Sequence, residues 1–278
     1  GRVVMPTARQ DSLVVTQVDP TACQTVMSAH QVVSTGRKIV SAACQDVSAA
    51  CQDVPAARQD APSEAGGADD AVVAKADTVV PYVPRVSLLT CSPGVEVWQQ
   101  YGHTAIRYED AERDIDVVFN YGLFDFGTPH FIWRFCLGHT DYVVGVETYE
   151  VFRREYAGRG SSITRQTLAL TAVEAERFWN LITLNCRPEN RTYRYNFLYK
   201  NCSTMARDIL YRSLVGRSVS VARTDSVTFR TILHRHNEAY PWVSFGIDLL
   251  LGAKADRLVT HDLQEFCPDE LERSFAQA

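Results

Sequence analysis

The sequence predicts an α+β fold: a small antiparallel sheet with helices packed on it, occupying residues 86–278. Two observations carry that expectation. Two runs of alternating apolar residues flank a polar turn, which is the signature of an antiparallel hairpin. Further along, a Thr-x-x-Glu capping box opens a run with helical apolar spacing.

The elements follow in order. Val86–Thr90 is an apolar run ended by Ser92-Pro93-Gly94, a buried strand, and Val95–Tyr101 suits a helix. His103–Tyr108 and Ile115–Tyr121 alternate about the turn 109–114. Tyr142–Val146 and Ser162–Leu170 are further strands. Thr171, with Glu174 three residues on, caps a helix whose Phe178, Leu181, Ile182 and Cys186 share a face and which Pro188 stops. A second helix runs from Cys202 to Leu214, a third from a Ser226 cap through His234, and a short last one over Asp269–Ala276.

Residues 1–85 differ in character. They are rich in Ala, Val, Gln, Asp, Ser and Thr. They contain a tandem SAACQDV repeat closed by Pro55, and a linker-like PSEAGGADD stretch over 62–70. Such a tract buries too little apolar area to offset its ordering entropy, so it is expected to be disordered or weakly structured. The whole chain has a net charge of -5 and no basic stripe, which argues against nucleic acid as a partner. No run of 18 or more apolar residues is present to span a membrane, and no signal peptide is legible. The eight cysteines are dispersed, with no CxxC, CxxH or HExxH spacing. They read neither as a metal site nor as a disulfide framework.

Chemistry gathers at Asn201-Cys202-Ser203-Thr204. Asn201 is a preferred N-cap residue, so Cys202 falls in the first turn of a helix. Unpaired N–H groups and the macrodipole there favour a thiolate and offer donors to an oxyanion. The blander alternative is a cysteine that packs under the helix. Cys91, between a buried strand and Ser92-Pro93, is the rival nucleophile. Among seven histidines, His103 alone begins an apolar alternating strand, and it follows Gly102, where another backbone or a substrate can approach closely. Asn120, on the neighbouring strand, is the first choice for orienting the imidazole, and Asp125 the second. Tyr101 and Tyr121 are candidate oxyanion donors, with core packing as the alternative for each. Arg187, Arg191 and Arg194, interleaved with Tyr193 and Tyr195, suit either a face toward phospholipid headgroups or a solvated loop edge with the tyrosines folded inward, and the second reading is preferred.

The motifs LLTCSPG (Leu88–Gly94), YGHTAIR (Tyr101–Arg107), FNYGLFDF (Phe119–Phe126), PENRTYRYNFLYKNCST (Pro188–Thr204) and FGIDLLLG (Phe245–Gly252) together resemble the bacterial Lnb N-terminal periplasmic domain family. That family is similar in its His-then-Cys order to circularly permuted papain-like enzymes, including lecithin retinol acyltransferase and NlpC-type relatives. The resemblance implies a permuted papain-like fold and a periplasmic or cell-envelope location. It also implies transfer of a fatty-acyl group through a Cys202 thioester to the N-terminal amine of lipoproteins, without cofactor. Phospholipid or lipoprotein substrates and contact with a membrane surface follow from it. Full-length members carry hydrophobic membrane segments after this domain, and none is legible up to Ala278. A cell-wall peptidase or amidase using the same pair is the alternative. A non-catalytic lipid- or peptide-binding domain is another.

Overall fold

The computed structural model describes residues 10–13, 82–94, 99–124, 134, 139–219 and 226–277. In chain order its strands are β1 (Gln10–Leu13), β2 (Arg85–Cys91), β3 (His103–Asp110), β4 (Ile115–Leu123), β5 (Asp141–Thr148), β6 (Ile163–Thr167), β7 (Thr192–Arg194), β8 (Val227–Thr228) and β9 (Leu258–Val259). The helices are α1 (Tyr149–Gly158), α2 (Ala172–Cys186), α3 (Cys202–Ser213), α4 (Phe229–His236), α5 (Pro241–Leu251), α6 (His261–Gln264) and α7 (Pro268–Gln277). The main sheet has the order β1-β6-β2-β3-β4-β5-β7, antiparallel throughout, and β8 pairs with β9. The α+β expectation stands. Gln10–Leu13, inside the tract expected to lack structure, pairs with β6 and forms one edge of the main sheet. The tandem repeat and the 62–70 linker lie outside the described residues, as does most of the helix expected over Val95–Tyr101.

The β3–β4 hairpin forms where the alternation placed it. Its turn is held by the Asp110 carboxylate, which accepts from the N–H groups of Glu112 and Arg113 at 3.1 Å each. Alternation then sorts the strands onto two faces. Val86, Leu88, Ile106, Tyr108, Phe119 and Tyr121 face one way, packing with Phe178, Trp179 and Ile182 of α2 and Ala206, Ile209 and Leu210 of α3. Leu89, Cys91, Ala105 and Val118 face the other way, covered by Phe152 and Tyr156 of α1. A separate cluster of Leu198, Phe229, Ile232, Leu233, Phe266 and their neighbours unites the C-terminal helices.

Two helices had no clear periodic signal. In α1 only Phe152 and Tyr156 are buried, an apolar stripe too narrow to stand out from its charged surroundings. In α5 none of the residues is buried, and its nearly uniform apolar sequence marks no face. The α4 start also differs from expectation. Its cap is Thr228, whose hydroxyl accepts from the Thr231 N–H at 3.1 Å, because Val227 and Thr228 are first committed to a strand with β9. The α2 capping box at Thr171 and Glu174 is present as expected.

Candidate active site

Asn201 builds the start of α3. Its side-chain oxygen accepts from the Thr204 N–H at 3.0 Å, and the Thr204 hydroxyl accepts from the Asn201 N–H at 2.8 Å, completing a reciprocal box. The Asn201 amide also donates to the Phe197 and Phe266 carbonyls, both at 2.8 Å, which ties the helix start to the C-terminal cluster. With Thr204 committed to the cap, the N–H groups of Cys202 and Ser203 are first-turn donors without intrahelical acceptors. Next to the thiol, the buried Ser203 and Thr104 hydroxyls lie 2.9 Å apart, and this contact pins α3 to β3.

His103 and Thr104 are consecutive on β3 and therefore point to opposite faces. Thr104 faces α3, whereas the His103 ring stacks on Tyr156 of α1, with centroids 6.2 Å apart. The thiol and the imidazole thus arrive from different layers of the fold. They meet at Gly122. The register of β4 on β5 shifts between Tyr121 and Leu123, and Gly122 sits there with a φ of 101°. A Cβ at this position would lie 3.7 Å from His103 Cε1 and 3.8 Å from Cys202 Cβ. Glycine leaves that space open. Gly102 has a different role: with φ 71° it lets the Cys91 carbonyl approach so closely that a Cβ would stand 2.5 Å from that oxygen. The close approach expected beside His103 is therefore made by backbone.

His103 Nε2 lies 2.7 Å from Asn120 Oδ1. That bond makes Nε2 the protonated nitrogen and leaves Nδ1 for the thiol. The Asn120 amide is itself oriented, donating through Nδ2 to Glu147 Oε1 of β5 at 3.3 Å. Burial, with the neighbouring charge of Glu155, raises the Glu147 carboxyl to about 7. Burial alone would also raise the Cys202 thiol. The charge and hydrogen bond of His103 outweigh it, with help from the Thr104 N–H and the Ser203 hydroxyl, and bring the thiol below its ordinary value. For His103 burial lowers the pKa, but the charge and hydrogen bond of Cys202 and the bond to Asn120 raise it above the ordinary value. The two groups favour a thiolate–imidazolium pair.

The structure therefore brings together Cys202, His103 and Asn120, and it adds Glu147 and Gly122, which sequence reasoning passed over. Glu147 carried no signal because it lies just past the apolar run Tyr142–Val146, at the end of β5. Tyr101 and Tyr121 are engaged elsewhere. The Tyr101 hydroxyl accepts from Asn237 and its ring packs on Phe197, while the Tyr121 hydroxyl accepts from Asn185 at 2.8 Å on the opposite face from His103. Asp125 lies outside the described residues.

Tyr142, Tyr193 and Tyr195 feel the Cys202 charge more than any other neighbouring charge. Burial first, and then that charge, pushes their hydroxyls up. Tyr142 stacks between Phe124 at 4.9 Å and Tyr195 at 4.1 Å, forming an aromatic wall beside the nucleophile. The inward-folding tyrosines of the YRYNF stretch announced part of this wall, and Arg194 pairs outward with Asp141 at 2.8 Å. His236, Cys267 and Asp269 bring ligand atoms within 4.8 Å of one another and are the described residues best placed to hold a metal ion. His236 and Asp269 already pair at 3.2 Å, and burial pushes the Cys267 thiol well up.

Residues 76–235 match the family model of the Lnb N-terminal periplasmic domain. The chain belongs to this family. Membership places the domain in the periplasm or cell envelope. The match takes in His103, Asn120, Glu147 and Cys202 and stops at the end of α4, ahead of α5. No curated protein and no solved structure matches the chain. No described helix is long and apolar enough to cross a membrane.

Proposed function

We propose that this Lnb-type domain is a cysteine-dependent acyltransferase that passes a fatty-acyl group through a Cys202 thioester to the N-terminal amine of a lipoprotein. The observation that carries the reading is the thiolate-favouring Cys202–His103–Asn120 arrangement set against an aromatic wall. A strand histidine that precedes a helix-start cysteine in the chain is also the order of circularly permuted papain-like enzymes, to which we assign the fold.

The Cys202 thiolate attacks the ester carbonyl of an acyl phospholipid, forming the C–S bond, and the carbonyl electrons move onto oxygen. The N–H groups of Cys202 and Ser203, free in the first turn of α3, are the donors we assign to that oxyanion. Collapse breaks the C–O bond, and the His103 imidazolium protonates the departing alkoxide. Neutral His103 then accepts a proton as the amine attacks the thioester, and the thiolate leaves as the amide forms. Asn120 holds the ring throughout.

Incubation with a phospholipid should add one acyl mass to Cys202 in the intact-protein mass spectrum, and a diacylated lipopeptide with a free amine should discharge it. An adduct with the mass of a peptide fragment would instead select the peptidase reading. A Cys202→Ser variant with full activity would overturn both enzyme readings.

A further inference from the structure

We infer that α5 is an interfacial helix that docks the domain on an anionic lipid bilayer. On it Trp242 is 83% exposed, Phe245 63%, Leu249 74% and Leu250 55%, and Leu258 of the adjoining β9 is 68% exposed. Trp242, Phe245 and Leu249 are spaced i, i+3, i+7 and so share one face, with the Trp242 and Phe245 rings in edge contact at 6.4 Å. Ile247 and Leu251, on the other side, pack against the C-terminal cluster and fix the helix to the body. An isolated exposed leucine has no meaning, but a contiguous apolar ridge headed by Tyr240 and Trp242 does. Tryptophan and tyrosine are the side chains that settle at the headgroup level, with apolar residues below them.

The charge around the ridge selects a bilayer rather than a second protein. The two acids of this segment are neutralised: Arg230 pairs with both Asp248 and Asp256, and His234 lies 2.9 Å from Asp248. Arg235 at the end of α4, Lys254 in the 3-10 turn after α5 and Arg257 beyond it are exposed and make no ion pair among the described residues, against one such acid, Glu238. An apolar face rimmed by free cations complements acyl chains beneath anionic headgroups. Docking would set the domain at the surface where an acyl phospholipid resides, so the inference rests on the acyl-transfer reading for its purpose but not for its test.

Flotation of the full chain with phosphatidylglycerol-containing vesicles, and with phosphatidylcholine vesicles alone, reads docking directly. The wild type should float with the anionic vesicles. The bound fraction should fall about tenfold in W242S/F245S/L249S and severalfold in K254E/R257E. Hydrolysis of a soluble short-chain acyl ester should stay unchanged in both variants. Absence of flotation, equal flotation of wild type and the triple variant, or a dimer at the flotation concentration that the triple variant abolishes would overturn the inference. Failure of the acyl-transfer reading leaves flotation intact, whereas failure of docking leaves the soluble-ester reaction intact.

Discussion

Two thiols flank one histidine, and only one of them is activated. Cys91 is the cross-strand partner of His103 in the β2–β3 ladder and lies on the same face of the sheet. Cys202 comes from a different layer and reaches the ring only past Gly122. Yet burial pushes the Cys91 thiol far up, with only a partial offset from the Tyr156 hydroxyl, while Cys202 is drawn below its ordinary value. Nearness to an imidazole therefore does not make a thiolate. The ring has two nitrogens, Asn120 takes one, and the helix-start thiol takes the other. Cys91 also closes β2, paired on one side with His103 and on the other with Ile163, where backbone N–H groups are spent on strand pairing, whereas Cys202 has a helix N-terminus behind it.

The largest expected effect tests this contrast directly. Cys202→Ser should reduce acyl-ester turnover by roughly a thousandfold or more, while Cys91→Ser should stay within severalfold of wild type. Iodoacetamide alkylation, followed residue by residue by mass spectrometry, should show Cys202 reacting below the pH at which ordinary thiols ionise and Cys91 essentially unreacted. His103→Ala should move the Cys202 inflection up, since the charge that outweighs burial is then gone. Fast alkylation of Cys91 in the folded protein would break the comparison.

Much of this was legible in the sequence, for reasons that can be named. His103, Asn120 and Cys202 announce themselves through local rules: alternation places the first two on paired strands, and Asn before Cys marks a helix start. The α2 capping box was readable for the same reason. Glu147, Gly122 and the Ser203–Thr104 contact depend on register and on the approach of layers distant in the chain, which local pattern does not encode. Tyr101 and Tyr121 sit in tempting motifs, but the turn ahead of β3 carries the Tyr101 hydroxyl to Asn237, and the position of Tyr121 along β4 turns its hydroxyl toward Asn185. The α5 ridge was visible as an apolar run, though only its burial distinguishes an exposed helix from a core one.

A second prediction concerns what commits the ring. Glu147 holds the Asn120 amide, and its folded pKa of about 7 exceeds the ordinary carboxylate value of 4.5. A raised carboxyl pKa means the folded state holds the proton more tightly, so this group costs stability as pH rises from about 4.5 to 7. Glu147→Gln removes that titration. Relative to wild type, the variant should gain on the order of 2 kcal/mol between pH 4 and pH 8, measured from urea midpoints at both. A constant difference across that range would mean that Glu147 is not held in this environment. Loss of its negative charge near the ring should also shift the alkaline limb of the pH–rate profile toward lower pH.

The smallest effect sharpens the comparison at the helix start. Ser203→Ala deletes one partner of the buried 2.9 Å contact and leaves the Thr104 hydroxyl unpaired, which should cost about 1–3 kcal/mol in folding stability. Thr104→Val alone should cost a similar amount, whereas the double variant, which removes both polar groups, should cost less than the sum. If the contact only supports the fold, alkylation of Cys202 will keep its wild-type pH profile in the double variant. If it sets the approach of α3 to β3, the profile will move toward that of an ordinary thiol, because the Thr104 N–H and His103 both reach Cys202 across that junction. The second outcome is the one expected here, since Ser203 and Thr104 each adjoin a member of the reacting pair and a small slip between them separates thiolate from imidazolium.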